Sequence, residues 1–138
     1  MERGTRALLR PAVFMLCDPT HPLSPPPPPA RLRDVDANPD HTVFVIEDSA
    51  AARIVGTAAL LVEKKFIRGA SCAAHVEDVV VDSTVRGQKL GARLVGACVE
   101  AARAGGCYKL ILDCAEANVP FYTKCGLTRK EVQMVQYL

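Results

Sequence analysis

One stretch of the sequence constrains the fold of this chain most. It begins with a run of β-branched residues, continues through a basic loop that contains glycine, and ends in a helical pattern. The run is residues 79–81, three valines, and the loop begins at Asp82 and carries Arg86, Gly87 and Lys89. β-Branched side chains favour a strand. A strand that is apolar at every position is expected to be buried on both faces. The sequence therefore predicts a buried strand, a turn and a helix in immediate succession.

The helical pattern predicts what the loop could bind. Apolar residues recur at helical spacing as Leu90, Leu94, Val95, Cys98, Val99 and Ala102. They predict a helix over residues 88–104 that ends at Gly105 and Gly106. The first N–H groups of a helix lack internal partners and, with the positive dipole end, favour a phosphate. Arg86 and Lys89 add charge, so we interpret the loop as a pyrophosphate site. The alternative is that Gly91 only permits close packing and Arg86 is a solvated turn residue.

Two other phosphate-binding loops are excluded by spacing. A Walker loop needs Gly-Lys-Ser or Gly-Lys-Thr at its end, and a Rossmann fingerprint needs three glycines at fixed spacing. Neither pattern occurs between residues 82 and 92.

Composition bounds the class of protein. The 138 residues suit one domain, and 49% hydrophobic with 23% charged residues provide for a packed core. A formal charge of +2 is too small to indicate a nucleic-acid surface. No apolar run approaches the ~20 residues of a membrane span.

The cysteines are expected to be reduced. They are Cys17, Cys72, Cys98, Cys107, Cys114 and Cys125, and no two form a C-x-x-C pair. Arg10 and Pro11 interrupt the apolar stretch of the N-terminus, so no clean secretory signal is predicted and a cytoplasmic location is expected. A nucleophilic role for Cys114 or Cys125 has to be considered, but no histidine partner lies beside either in the sequence.

Residues 1–40 form the least regular part of the chain. Residues 8–16 could form a short strand, and the prolines between 19 and 29 favour polyproline II over helix. Such a run either binds SH3 or WW domains or serves as a stiff linker, and the linker is preferred. We expect residues 18–40 to be poorly ordered and divide the chain into an N-terminal part, 1–40, and a domain, 41–138.

From residue 42 onward the pattern is regular. It predicts strands at 42–46, 53–63, 74–81 and 108–113, with Gly56 as a candidate bulge. A short helix should follow Asn118 as N-cap, with Pro120 in its first turn and Gly126 at its end. A last strand is expected over 130–137. The predicted fold is α/β, with a mixed, mostly antiparallel sheet around one βαβ unit.

Several segments resemble a known family. The loop 86–92 resembles the acetyl-CoA loop of the GNAT superfamily, Arg/Gln-x-x-Gly-x-Gly/Ala, with Lys89 where the first motif glycine would lie. Segments 75–81 (HVEDVVV), 107–114 (CYKLILDC) and 118–126 (NVPFYTKCG) resemble glucosamine 6-phosphate N-acetyltransferase. The resemblance runs from about residue 41 to 134. It implies a GNAT fold, acetyl-CoA as co-substrate, glucosamine 6-phosphate as acceptor, a role in UDP-GlcNAc biosynthesis and a homodimer.

The resemblance also implies site residues. The catalytic candidates are Tyr122, Glu77 and Asp113. The cofactor-binding candidates are Val79, Val80, Val81, Arg86, Gly87, Gln88, Lys89, Leu90, Gly91, Ala92, Asn118 and Tyr122. The candidates for the sugar phosphate are Lys65, Arg68, Glu77, Asp78, Tyr108, Lys109 and Asp113.

The expected chemistry matches these side-chain types. Acetyl transfer to an amine needs an unprotonated amine, a polarised carbonyl and a proton for the leaving thiolate, but no covalent enzyme intermediate. The Tyr122 hydroxyl suits the proton donor. Glu77 and Asp78 are consecutive on a predicted strand, so we expect them on opposite faces, with Glu77 toward the sugar and Asp78 structural. His21, His41 and His75 have no metal-ligand spacing, and no metal is expected.

Further expectations concern the two ends of the chain, its oligomeric state and its function. The chain departs from the family before residue 41, where its N-terminal part looks shortened, and at Tyr137, where an arginine is expected. A dimer through Val132, Met134 and Val135 would cover the apolar face this leaves. The alternative functions are a GNAT enzyme for another amine and a non-catalytic module that binds acetyl-CoA or mediates dimerisation.

Overall fold

The computed structural model describes residues 29–138, with side chains described from residue 33 onward. Its helices and strands are α1 (Pro29–Asp36), β1 (His41–Asp48), β2 (Arg53–Lys64), β3 (Cys72–Val81), α2 (Leu90–Ala104), β4 (Cys107–Ile111) and α3 (Val119–Lys124). Single 3-10 turns at Ser83–Val85 and Glu116–Asn118 precede α2 and α3.

The described strands form one mixed sheet in the order β1-β2-β3-β4. β1, β2 and β3 pair antiparallel, and β4 pairs parallel to β3 after the chain crosses through α2. A parallel neighbour requires such a crossover. The predicted mixed, mostly antiparallel sheet with one βαβ unit is confirmed.

The core lies between α2 and the sheet. Leu94 and Cys98 of α2 are fully buried against Val55, Leu60 and Val76 of the sheet. Each buried aliphatic side chain of this kind contributes about 1.5–3 kcal/mol relative to exposure. The helical spacing of the apolar residues was therefore a sound guide to the face that α2 buries, including Cys98 as a small core residue.

β4 pairs with only the first part of β3. Their register runs from Cys72 opposite Cys107 to His75 opposite Ile111, where β4 ends, whereas β3 continues to Val81. Among residues 29–138, no strand pairs with this edge of β3 beyond His75. The expectation that the three valines are buried on both faces was wrong: Val80 is 49% exposed, and only the other face of the strand packs on the core.

A β-bulge interrupts β3 just before these valines. Glu77 lies opposite Ala59 and Val80 opposite Thr57, so Asp78 and Val79 together face a single residue of β2. Asp78 has a φ of 51°, a left-handed backbone that aspartate tolerates better than most residues. Glu77 and Asp78 are both exposed. Because the bulge begins at Asp78, regular alternation does not continue through this part of β3, and the opposite faces expected for Glu77 and Asp78 stay a prediction.

The structure describes only part of the N-terminal region for which predictions were made. The candidate strand at 8–16 and most of the proline run lie outside the described residues. Pro29 begins α1, where its missing N–H costs nothing and its fixed φ suits the first helical position. Residues 29–36 form a helix that packs against β1, so the expectation that the prolines exclude helix was wrong for Pro29. The expected poor order of residues 18–40 stays a prediction.

Three predictions near the C-terminus also require correction. β4 ends at Ile111, so Asp113 lies beyond the strand rather than at its end. Asn118 is the N-cap residue of α3 and Pro120 lies in its first turn, as predicted, but Asn118 has helical dihedrals and makes no side-chain capping bond. The last strand predicted over 130–137 is absent. Its residues have no neighbouring strand in the described chain, and therefore no hydrogen-bond ladder to join.

None of the described helices combines the length and apolar character needed to cross a membrane.

Candidate functional site

The loop between β3 and α2 is fixed at its start by Asp82. The Thr84 N–H donates to Asp82 Oδ1 at 2.8 Å, the Thr84 hydroxyl donates to the same oxygen at 2.7 Å, and Arg53 forms an ion pair with Asp82. The two bonds from Thr84, followed by the bond from Arg53, lower the pKa of the Asp82 carboxyl to about 2. This aspartate stays ionised at neutral pH and holds the first turn of the loop on β2.

The rest of the loop presents backbone groups to solvent. Gly87 and Lys89 have φ values of 84° and 59°, so the chain turns twice through the left-handed region before α2 begins at Leu90. Lys89 is the N-cap, and no side chain caps the helix start. The unpartnered N–H groups and the positive helix end therefore remain available to an anion. Arg86 and Gln88 are exposed beside them.

The left-handed backbone at Lys89 gives a physical reason for the glycine that the GNAT loop pattern has there. Glycine adopts this conformation without a steric penalty, whereas a residue with Cβ does not. Lysine keeps the same backbone turn here and adds a positive charge next to the helix start.

Gly91 brings α3 against the beginning of α2. A Cβ on Gly91 would lie 3.0 Å from Phe121 Cζ, which is too close for an unchanged ring position. The Phe121 ring in turn packs edge-on against Tyr122, with centroids 4.9 Å apart. The absent side chain at Gly91 thus sets the position of Tyr122 relative to the loop. The sequence alone suggested close packing at Gly91 but did not identify Phe121 as the partner.

Tyr122 lies in a half-buried position on α3. Burial, followed by the nearby Cys114 and Cys125 thiols, raises the pKa of its hydroxyl above the ordinary value. The hydroxyl has no hydrogen-bond partner among the described residues. A tyrosine in this state keeps its proton at neutral pH and can donate it to an acceptor that enters the site.

A cluster of cations surrounds Tyr108 on β4. The Arg68 guanidinium and the Lys109 ammonium each lie 5.8 Å from the centre of the Tyr108 ring. Arg68 comes from the connection between β2 and β3, so the fold joins residues that lie far apart in sequence. Arg68 and Lys109 carry no ion pair to a described residue, which leaves their charges for an anionic ligand.

Lys65, a further candidate for the sugar phosphate, is engaged elsewhere. It forms an ion pair with Glu63, which also bonds His75 Nε2 at 3.1 Å. The hydrogen bond from Lys65, followed by that from His75, lowers the pKa of the Glu63 carboxyl. Most of the charge of Lys65 is thus already balanced, and Arg68 and Lys109 are the stronger phosphate candidates.

Asp113 has a partner that the sequence did not reveal. Gln133 Nε2 donates to Asp113 Oδ2 at 3.0 Å, across 20 positions of the chain. The bond ties the C-terminal segment to the end of β4. No local pattern could have indicated it, because Gln133 lies in a stretch interpreted as an ordinary strand.

The structure does not bring all the catalytic candidates into contact. No hydrogen bond or ion pair within the described chain joins Tyr122, Glu77 and Asp113 to one another. Asn118 is exposed at the start of α3. In residues 29–138, no group of three or more histidine, cysteine or acidic side chains is arranged to hold a metal ion.

Comparison with known sequences places the chain in a family. Residues 11–127 match the Acetyltransferase (GNAT) family. The glucosamine 6-phosphate N-acetyltransferase 1 of Oryza sativa is 48% identical over 122 residues, covering 83% of this chain and 74% of that protein. The Arabidopsis thaliana glucosamine 6-phosphate N-acetyltransferase is 45% identical over 98 residues, covering 71% and 66%. The chain thus spans about two thirds to three quarters of these relatives' length.

Solved structures agree with the sequence comparison. The crystal structure of the Arabidopsis thaliana glucosamine-6-phosphate N-acetyltransferase superposes with a TM-score of 0.77 at 41% identity, covering 78% of this chain and 74% of that one. A Trypanosoma brucei acetyltransferase gives a TM-score of 0.74 at 40% identity, covering 79% and 77%. The chain therefore belongs to the Acetyltransferase (GNAT) family, and within it to the glucosamine 6-phosphate N-acetyltransferases.

Proposed function

We propose that this protein transfers the acetyl group of acetyl-CoA to the amine of glucosamine 6-phosphate by direct attack. The observation that carries the proposal combines two features. In the described chain, the edge of β3 along its three valines has no partner strand, and the loop after it ends at a helix start that no side chain caps. Enzymes of this family use acetyl-CoA, and this combination suits its two main parts. The free edge offers hydrogen bonds to an extended arm, and the helix start suits a pyrophosphate.

Acetyl-CoA, when bound, supplies an acetyl group activated as a thioester. The backbone of Val79, Val80 and Val81 would pair with its amide-containing arm, and the loop from Arg86 to Ala92 would hold its phosphates. The exposed Val80 side chain and the positive φ values at Gly87 and Lys89 fit that role. These residues bind and orient, and none of them needs to react.

The acceptor would lie beside the cations around Tyr108. Arg68 and Lys109 would neutralise the sugar phosphate, and Glu77 and Asp113 would accept hydrogen bonds from the amine or the hydroxyls. Asp113 is already oriented by Gln133. Since both carboxylates are exposed, they can also accept a proton from the amine as it attacks.

Tyr122 would donate the proton that the leaving sulfur needs. Its raised pKa keeps the hydroxyl protonated, and its lack of a partner among the described residues leaves the proton free to move. Cys114 and Cys125 lie near this hydroxyl, and no histidine of the described residues forms a hydrogen bond with either thiol, which supports direct transfer over an acetyl-cysteine intermediate.

Gly91→Ala is expected to lower kcat/KM for both substrates by about tenfold, because the added methyl displaces Phe121 and with it Tyr122. Gly96→Ala is the matched control, since the same methyl on the exposed side of α2 meets nothing within 4 Å. We expect Gly96→Ala to keep wild-type kinetics and to raise the free energy of unfolding by about 0.5–1 kcal/mol. Similar kinetics for the two variants would contradict the proposed role of Gly91.

A homodimer is part of the proposal. Val132, Met134, Val135 and Tyr137 of the C-terminal segment are 67–91% exposed, and this stretch has no strand partner within the described chain. Several large apolar side chains exposed along one segment favour an interface there. A second copy would give the segment a partner and bring it close to the acceptor site, to which Gln133 already ties it.

Light scattering during size exclusion is expected to give about twice the chain mass of 14.8 kDa at micromolar concentration. Replacing Val132 and Met134 together by serine should shift the protein toward monomer and reduce its activity. A soluble, fully active monomer would refute the dimer without affecting the proposed reaction.

The proposed reaction is tested by measuring release of free thiol from acetyl-CoA with and without glucosamine 6-phosphate. We expect rapid release only when the sugar phosphate is present. If acetyl-CoA binds but no thiol is released with this acceptor or with other amines, the chain is a binding module. Thiol release with another amine but not with glucosamine 6-phosphate would indicate a GNAT enzyme that acts on a different acceptor.

A further inference from the structure

Two cysteines begin the two parallel strands of the βαβ unit. Cys72 is the first residue of β3, Cys107 is the first residue of β4, and they are partners in the register of the sheet. Their Sγ atoms are 3.1 Å apart, and both thiols are free and half-buried. Neither residue has a role in the proposed acetyl transfer.

The backbone at this pair suits a covalent bond. Neighbouring strands lie about 4.8 Å apart, which falls inside the usual Cα separation of disulfide-bonded cysteines. The two sulfurs already point toward each other, so a bond needs only a small rotation of the side chains. We propose that Cys72 and Cys107 form a reversible disulfide that joins β3 to β4, with a small disulfide such as oxidised glutathione as the oxidant.

An oxidant can reach the pair from one side. Cys72 lines an open cavity of about 520 Å³, together with Asp40, Lys64, Ser71 and Gly105. This cavity lies where β3 and β4 begin, whereas the free edge of β3 proposed for acetyl-CoA lies beyond the last β3–β4 pair. The cysteine pair and the proposed acetyl-CoA edge are therefore at different ends of β3, whereas Tyr108 and Lys109, proposed for the sugar phosphate, directly follow Cys107 on β4.

The exchange proceeds in two balanced steps. Cys72, as the thiolate, attacks one sulfur of oxidised glutathione, forms a mixed disulfide and releases one glutathione thiol. Cys107 then loses its proton to solvent, attacks the Cys72 sulfur and releases the second glutathione. The two protein thiols are oxidised to one disulfide, and the glutathione disulfide is reduced to two thiols.

The second step is expected to be slow. In the reduced protein, burial, followed by the hydrogen bond and charge of Cys72, raises the pKa of the Cys107 thiol to about 11. Once Cys72 carries glutathione, burial still acts to raise the pKa of the Cys107 thiol. Little Cys107 thiolate is present at neutral pH, so we expect the bond to form over minutes to hours, within the usual range for uncatalysed exchange. Because the two sulfurs are so close, we still expect Cys107 to displace glutathione from Cys72, so that the mixed disulfide does not persist.

The bond should stabilise the fold without affecting acetyl-CoA binding. It closes a long loop of chain that includes α2, and such cross-links reduce the freedom of the unfolded state. We expect the midpoint of thermal unfolding to rise by about 5 °C or more in the oxidised protein. The Kd for acetyl-CoA should be unchanged, because the free edge of β3 lies beyond the paired segment.

To test the proposal, the folded 138-residue chain is incubated with oxidised glutathione. Its intact mass is then measured over time, and its peptides are mapped without reduction. We expect a mass lower by two hydrogen atoms and a cross-linked peptide pair that contains Cys72 and Cys107, both reversed by dithiothreitol. Cys107→Ser should instead keep one glutathione on Cys72. Cys114→Ser, which removes an exposed thiol outside the pair, should form the cross-link as the wild type does.

Three results would overturn the proposal. They are a folded wild-type protein that stays fully reduced, a glutathione adduct on Cys72 that persists in the wild type, and a cross-link that involves a different pair. Each is read from mass alone, so the outcome does not depend on acetyltransferase activity. A wild-type level of thiol release by the Cys72→Ser variant would show in addition that the site is separate from the reaction.

Discussion

Tyr122→Phe is expected to lower kcat by about 100-fold or more while leaving the Kd for acetyl-CoA unchanged, the usual scale for loss of a general acid. The substitution removes only the hydroxyl, and the ring keeps its edge-on contact with Phe121. Substrate binding should survive because the residues proposed to hold both substrates lie on β3, β4 and their loops. The effect should therefore appear in kcat rather than in KM.

Thr123→Ser on the same helix is the control for Tyr122→Phe. Its hydroxyl bonds the Val119 carbonyl oxygen at 2.9 Å, and serine can keep that bond. We expect wild-type kcat for this variant and similar thermal unfolding for both. If Tyr122→Phe turns over within a factor of two of the wild type, another group protonates the leaving sulfur.

Lys109→Ala is expected to raise KM for glucosamine 6-phosphate by about 10- to 100-fold, the scale of losing one charge-assisted hydrogen bond. The lysine is exposed, and it shares the Tyr108 ring with Arg68, so its removal halves the unpaired charge proposed to meet the phosphate. Acetyl-CoA should bind as before, because its proposed contacts lie on the other strand and its loop.

Two comparisons distinguish loss of phosphate binding from damage to β4. Lys109→Ala and the wild type should use glucosamine, which has no phosphate, with nearly equal kcat/KM. Lys64→Ala removes a lysine that pairs with Asp40 and makes no cation–π contact with Tyr108 in the described chain, and it should behave as the wild type. Equal losses for both substrates in Lys109→Ala would indicate a disturbed strand.

Local sequence patterns predicted the parts of the fold that depend on local physics. The helical spacing of Leu94 and Cys98 predicted the buried face of α2, and Gly105 predicted its end. Strand β2, expected over 53–63, extends over Arg53–Lys64. In each case a periodic run or a glycine signal lies within a short stretch of chain, so the information is present without knowledge of the neighbours.

The predictions that failed depended on neighbours. Burial of Val80 required a strand on the free edge of β3, but β4 ends too early to provide one. The strand expected over 130–137 required a partner that the described chain does not offer. The opposite faces expected for Glu77 and Asp78 stay a prediction, because the sequence did not reveal the bulge that faces Ala58 of β2 directly after Glu77.

The contacts of the candidate site could be predicted only in part, and the roles of its residues stay predictions. Resemblance suggested Tyr122 and Lys109 as site residues. The close packing of Phe121 on Gly91 and the bond from Gln133 to Asp113 became visible only in three dimensions. The same holds for Cys72 and Cys107, which nothing in the sequence paired. Contacts across 20 or more positions leave no periodic signal.

The direct route of the acetyl group is tested most sharply with acetyl-CoA carrying carbon-13 in its acetyl carbonyl. We mix it with the protein and glucosamine 6-phosphate and follow the label by NMR and by intact mass of the protein. The account predicts that the label passes into the amide of N-acetylglucosamine 6-phosphate in step with thiol release, with none on the protein at any time. An acetylated protein that forms and decays as turnover proceeds, or label found only in free acetate, would contradict it.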